Sequence, residues 1–257
     1  MECGVIPNGI NVFPWLVTVV PVGIFGLPLH TGCGGSFISN QHVITARHCI
    51  EEVDSTFFII YNGRSYEAEV VAKAPNYDDD AIYYGHNDMA ILRLKTVPSE
   101  CVIPICLPSE WTDDLIMNDF NLTMASFNGG YHEKSIPVID GKACYDKYHK
   151  NRASLKLTKC DEKIEGKGKT KSTSFKEEKN VDKLSFNYLC SDEHMTKSGD
   201  SGSPLMRKND ENVWTLIAIV RGFYYWKNFC TNGTPLKYGD YQTIFPRLSW
   251  VHETVKK

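Results

Sequence analysis

Three short segments of this sequence carry side chains whose types and neighbours suit acyl-transfer chemistry. The first is Gly199-Asp200-Ser201-Gly202-Ser203-Pro204-Leu205, just upstream of the apolar run Val213 to Val220. Glycine on either side of a serine lets a substrate approach the backbone closely, and it frees the Gly199 and Ser201 N–H groups to aim at one point. A nucleophile beside an oxyanion hole needs that arrangement. The same letters also fit an ordinary turn, or the strand-turn-helix elbow of an α/β-hydrolase, although Pro204 leaves no room for a helix to start.

The second segment is Gly34-Gly35-Ser36-Phe37-Ile38-Ser39, followed by His42-Val43-Ile44-Thr45-Ala46-Arg47-His48-Cys49. A lone histidine is more often structural than catalytic. His48, however, ends an apolar strand beside a cysteine, and Cys33 is placed to tie the loop back, which would hold a general base in one orientation. The third segment, Asn87-Asp88-Met89-Ala90-Ile91-Leu92-Arg93-Leu94, puts an acid at the mouth of an apolar strand. Such an aspartate is usually a turn residue, but a buried one could accept the proton of a histidine and fix its tautomer.

The scaffold that must position these residues is legible in outline. The 257 residues, 29.1 kDa, 42% apolar and 23% charged, suffice for one large domain or two small ones and exclude a disordered chain. A formal net charge of −3 gives no global field toward nucleic acid or an anionic membrane. The longest apolar stretch, Val12 to Leu29, is interrupted by Pro14, Pro21 and Pro28, so it is no membrane span. Nine cysteines with no CxxC pair indicate disulfides and an oxidising compartment rather than a zinc ribbon. Sequons at Asn121 and Asn232 fit that compartment as glycosylation sites. The start Met1-Glu2-Cys3 shows no signal peptide, which suits a mature form or a fragment carrying a start Met.

Short apolar runs broken by Gly, Pro, Asn and Asp predict a mostly β chain. The expected strands are Trp15 to Val20, Ser36 to Ser39, His42 to Thr45, Thr56 to Tyr61, Glu67 to Ala72, Met89 to Leu94 and Val213 to Val220. Helical spacing marks Asp140 to Lys150, with Cys144 and Tyr148 on one face, and the C-terminal Leu248, Val251 and Val255. Residues 156–183 hold nine lysines and six acidic residues, which reads as a solvated surface loop rather than a basic exosite.

Taken in the order His48, Asp88, Ser201, the three segments resemble the trypsin/chymotrypsin-like serine endopeptidases, and further blocks match in order. Pro14-Trp15-Leu16-Val17 resembles that family's first strand, Ala74-Pro75-Asn76-Tyr77 the segment ahead of its aspartate, and Ile105-Cys106-Leu107-Pro108 the connection between its barrels. Cys144 with Tyr148 is similar to its intermediate helix, Gly239 with Tyr241 to its last strand, and Trp250 lies in its closing helix. The resemblance implies an all-β fold of two six-stranded antiparallel β-barrels with a C-terminal helix. It implies a single peptidase domain over 1–257, with barrels of about 1–110 and 111–243 and a helix over 245–257. It makes His48, Asp88 and Ser201 the catalytic residues, Gly199 and Ser201 the oxyanion hole, and Asp200 the zymogen switch.

The substrate pocket would be lined by Met195, Gly222, Phe223 and Gly239. Met195 stands where the trypsin branch has an Asp, so the resemblance implies hydrophobic rather than basic specificity. Arg221 replaces a small residue that usually supports the triad, Phe223 could narrow the pocket, and Asp240 could restore a carboxylate if the register slips by one. By the same resemblance Cys33 pairs with Cys49, Cys3 with Cys106 and Cys144 with Cys190. Lys197 replaces a pocket cysteine, and the expected fourth bond, Cys160–Cys230, leaves Cys101 over. No metal or organic cofactor is implied, and Cys49 to Pro75 looks short for the family's calcium loop. The segment Cys3 to Pro14 contains no Arg or Lys at which an activating cut would fall. The reading is a secreted, monomeric serine endopeptidase whose partners are protein or peptide substrates and a macromolecular inhibitor, with no nucleic acid and no membrane. Its alternative is a catalytically silent homologue that acts as a protein-binding module.

Overall fold

The computed structural model describes residues 2–23, 25–29, 32–51, 56–75, 87–108, 120–144, 146–147, 188–191, 196–226 and 236–256. Their strands close into two six-stranded antiparallel barrels, as the resemblance implied. The first comprises β1 (Leu16–Val22), β2 (Cys33–Phe37), β3 (His42–Thr45), β4 (Thr56–Tyr61), β5 (Arg64–Lys73) and β6 (Ala90–Leu94), in spatial order β1-β2-β3-β6-β5-β4. Alternation builds it: Phe57, Ile59 and Tyr61 of β4 are buried in turn while their neighbours are not. Asn62-Gly63, both at positive φ (48° and 73°), make the two-residue turn that joins β4 to β5 and fixes their register.

The second barrel comprises β7 (Phe120–Ser126), β8 (His132–Asp140), β9 (Tyr188–Ser191), β10 (Pro204–Lys208), β11 (Trp214–Trp226) and β12 (Leu236–Thr243), in order β10-β11-β12-β9-β8-β7. Alternation in the sequence marked only β11 of these, and stopped it at Val220 where the strand runs on to Trp226. The helix expected over Asp140 to Lys150 is, among the described residues, a helical turn α1 (Gly141–Cys144), capped by the Asp140 carboxylate on the N–H groups of Lys142 (2.7 Å) and Ala143 (2.9 Å). The closing helix α2 (Leu248–Val255) buries Val251 and packs Leu248, Trp250 and Val255 on the core.

One core cluster crosses from the first barrel into the second, and another lies within the second. Trp15, fully buried in the first, donates its indole N–H to Met206 Sδ of the second at 3.0 Å, and Phe13 stacks edge-on against Trp214. Truncating a tryptophan so placed costs about 3–5 kcal/mol. Among the described residues three disulfides staple the chain: Cys3–Cys106, Cys33–Cys49 and Cys144–Cys190. The first lays the N-terminal segment against the inter-barrel connection, where Gly4 N–H donates to Pro104 O and accepts, through its carbonyl, from Trp214 N–H, both at 2.8 Å. Cys101 is exposed and in no disulfide.

Candidate active site

His48 lies on a 3-10 turn, Arg47–Ile50, that leaves the end of β3. Two ties fix the turn: the Cys33–Cys49 disulfide, and Arg47 Nη1, which donates to Ala74 O at 2.9 Å. With both sulfurs in that bond, Cys33 and Cys49 offer no thiolate beside the His48 ring. Asp88 stands just before β6. Its predecessor Asn87 takes a left-handed φ of 73°, is met by Arg247 on its side-chain oxygen, and donates its N–H to Gln242 Oε1 at 3.0 Å. The second barrel therefore sets where the first barrel's aspartate points.

The Asp88 carboxylate is 1% exposed and reaches His48 twice. Oδ1 accepts the His48 backbone N–H at 2.9 Å and Oδ2 meets Nδ1 at 2.7 Å. A carboxylate acceptor at that distance selects the tautomer with the proton on Nδ1, which leaves Nε2 as a lone pair able to take a proton. The His48 side chain is 36% exposed, and Nε2 lies 3.7 Å from Cys49 Sγ.

Ser201 is brought to the His48 turn by glycine contacts across the seam. Gly34 N–H of β2 donates to the Ser201 carbonyl at 2.7 Å. Gly202, at φ 79°, sits so close that an added Cβ would lie 2.3 Å from Gly34 O and from Thr45 Oγ1, and 3.0 Å from Ala46 N. No other residue type fits there. Behind it, Gly202 N–H donates to Val220 O (2.7 Å) and Val220 N–H to Ser203 O (2.8 Å), locking the loop to β11. The Ser201 hydroxyl makes a long hydrogen bond, 3.4 Å, to the Arg221 carbonyl and none to His48. Resting contacts of this kind commonly tighten only when substrate is bound.

Asp200 is fully buried beneath this loop. Its carboxylate accepts from Asn128 Nδ2 at 3.1 Å and from Lys197 N–H at 2.9 Å, and His132 Nε2 lies 3.5 Å away. Asn128 also donates to Ser198 O, and its amide covers Gly199, whose φ is 94°. An added Cβ at Gly199 would lie 2.8 Å from that amide. Sequence reasoning missed Asn128 and His132, because Asn128-Gly129-Gly130 reads as a plain hairpin turn and no pattern ties it to a loop seventy residues on.

The wall strands resolve the question of register. Gly239 pairs with Phe223 and Asp240 with Gly222, leaving Arg221 as the extra residue of a bulge between Val220 and Gly222. The bulge turns Arg221 inward, where Nη1 meets Asp240 Oδ2 at 2.8 Å and Nε lies 3.8 Å from Asp88 Oδ2. Asp240 is therefore engaged by Arg221, and burial pushes its carboxyl above the usual range while Arg221 pulls it back. Gly239 passes over the Ser191 Oγ–Tyr241 Oη hydrogen bond, 2.8 Å, which leaves no space for a Cβ. Phe223 is 43% exposed on the wall, and Thr196 Oγ1 reaches Gly222 O at 3.5 Å. Asn121 is exposed on β7. Met195, the expected Cys160–Cys230 bond, Asn232 and the lysine-rich stretch 156–183 lie outside the described residues.

Comparison with known proteins agrees with this fold. The Trypsin family model matches residues 6–251. Clotting factor C of Tachypleus tridentatus is 26% identical over 260 residues, covering 87% of this chain and 22% of its own length. CLIP domain-containing serine protease B4 of Anopheles gambiae is 24% identical over 287 residues, covering 97% of this chain and 69% of its own. The chain thus spans about a fifth of the clotting factor and about two-thirds of the CLIP-domain protease. The solved structure of HL collagenase superposes with a TM-score of 0.60 at 18% identity, covering 98% of this chain and 99% of the other, a likeness of fold. The chain belongs to the trypsin family of serine proteases, hydrolases that act on proteins.

Proposed function

For a member of the trypsin family with this arrangement, we propose the role of a secreted serine endopeptidase. Ser201 Oγ attacks the peptide carbonyl, His48 Nε2 takes its proton and returns it to the leaving amine, and Asp88 holds the imidazolium through Nδ1. The Gly199 and Ser201 N–H groups hold the oxyanion, at about 3 kcal/mol per donor. The observation that carries the reading is the buried Asp88 on His48 Nδ1 at 2.7 Å, on a turn to which Gly34 and Gly202 dock the Ser201 loop. Three disulfides support an exported protein.

Primary specificity is apolar. Among the described residues of the pocket strands the carboxylate is Asp240, and it is engaged by Arg221 rather than left open to a substrate cation. Phe223 narrows the entrance between Gly222 and Gly239. The second reading, a silent homologue that binds a partner, is favoured by the Ser201 hydroxyl resting on the Arg221 carbonyl rather than on His48.

A peptide library digested by the chain, before and after limited proteolysis, separates the two. Cleavage after large apolar residues that disappears in Ser201→Ala is the expected result. Cleavage after Lys or Arg would overturn the specificity, and no Ser201-dependent cleavage in either sample would leave the binding reading.

A further inference from the structure

Arg221 sits between two buried carboxylates. Asp240 of β12 lies 2.8 Å from Nη1, and Asp88 lies 3.8 Å from Nε through the same Oδ2 that meets His48 Nδ1. The two aspartate side chains are 5% and 1% exposed, and Arg221 is 14% exposed. Resting on the endopeptidase reading above, we propose that Arg221 and Asp240 act as a charge-compensated positioning pair that sets how strongly Asp88 favours protonation of His48.

Charge in this dry corner acts with little screening. A buried guanidinium and one carboxylate are neutral as a pair, whereas removing either member leaves an uncompensated charge. Here the uncompensated charge would stand beside the carboxylate that governs the base. A bare cation at Arg221 would oppose an imidazolium at His48, and Asp240 without Arg221 would favour one to the extent that its carboxylate stays ionised. The bulge at Arg221 allows this contact, because it takes the residue out of the regular ladder.

Among the described residues, the other charged groups around this corner are accounted for. Arg247 engages Asn87 next to Asp88. Arg47 and Lys73 pair with Glu51 on the outer side of the His48 turn. These cations engage Asn87 and Glu51, and the Tyr241 hydroxyl feels the charges of both Asp240 and Asp200, so Arg221 with Asp240 is the ion pair that reaches the Asp88 carboxylate.

The test uses three full-length variants and two readouts. Asp240→Asn keeps the shape and removes the counter-charge. Arg221→Ser removes the cation, and Arg221→Lys keeps it. The first readout is the pH midpoint of the acid limb of fluorophosphonate labelling, since only a neutral His48 can act as base. The second is the pH midpoint at which the His48 ring resonances move by NMR, which needs no catalysis. Asp240→Asn should lower both midpoints by about one pH unit, Arg221→Ser should raise them by about one, and Arg221→Lys should return them to the wild-type value.

A packing role alone would change the labelling rate while leaving the midpoints in place. Midpoints that stay put in folded Asp240→Asn, or that move the same way in Asp240→Asn and Arg221→Ser, would overturn the proposal. Should Arg221→Ser not fold, the direction of the Asp240→Asn shift decides alone. If the wild type labels in no condition, the endopeptidase reading fails, and the NMR midpoints still decide whether the pair controls His48.

Discussion

Among the described residues two buried aspartates each stand beside a histidine, one on each barrel, and the two pairs are wired in opposite senses. In the first, Asp88 accepts the hydrogen bond of the His48 Nδ1–H at 2.7 Å, which leaves Nε2 as the basic nitrogen, 3.7 Å from Cys49 Sγ. In the second, His132 Nδ1 meets the Gly130 carbonyl at 3.2 Å and Nε2 faces Asp200 at 3.5 Å with no hydrogen bond. A neutral His132 that donates from Nδ1 presents a lone pair to a carboxylate, and only a protonated ring presents an N–H. The carboxylates differ too. Asp88 depends on His48, whereas Asp200 is already satisfied by Asn128 and the Lys197 N–H. The first pair makes a base, and the second holds a loop.

That contrast is broken most severely at Asp88. Asp88→Asn should leave the fold intact while lowering fluorophosphonate labelling on the order of 10⁴-fold, because an amide in that place favours the wrong His48 tautomer. A loss below tenfold would mean that the pair does not govern the serine. At the second site the larger effect belongs to the amide rather than the histidine. Asn128→Ala removes the hydrogen bonds to Ser198 O and Asp200 and leaves a buried carboxylate short of a donor, so urea denaturation should show a loss of about 1–3 kcal/mol. His132→Ala should cost less than about 1 kcal/mol at neutral pH, since no hydrogen bond is lost from Asp200. The reverse order of the two variants would mean that His132 is the main partner of Asp200.

A third histidine supplies a baseline without any carboxylate. His42 bonds Ser39 Oγ at 2.9 Å, and burial, reinforced by Arg93, lowers it from the ordinary 6.5. A base whose folded-state affinity for protons is depressed stabilises the fold fully above the unfolded value and loses that contribution as pH falls. Stability should therefore fall below about pH 6.5 in the wild type and fall less in His42→Gln, measured by thermal melts across pH 5 to 8. Equal slopes for the two proteins would remove His42 from the account.

How much of this the residues announce depends on how local the signal is. The first barrel is legible because its strands alternate cleanly, as in Phe57, Ile59 and Tyr61, and because Asn62-Gly63 names its own turn. The second is not. His132–Asp140 reads HEKSIPVID and Leu236–Thr243 reads LKYGDYQT, and both are strands because partners on each side pair with them, not because of their own pattern. The blocks around His48, Asp88 and Ser201 are visible as compact motifs. Their supports are not: Gly34 on Ser201, Gln242 on Asn87, Asn128 on Asp200 and Arg221 between two aspartates all join residues distant in the chain. Asp240 shows the limit best, since whether it serves the pocket or Arg221 turns on one bulge that no spacing reveals.

The central claim is that Ser201 is a nucleophile activated by His48, and intact-mass spectrometry after fluorophosphonate treatment tests it most directly. The account predicts one adduct per chain, on Ser201, that is absent in Ser201→Ala and slowed on the order of 10⁴-fold in Asp88→Asn. A folded chain that gains no adduct, with or without limited proteolysis, would contradict it.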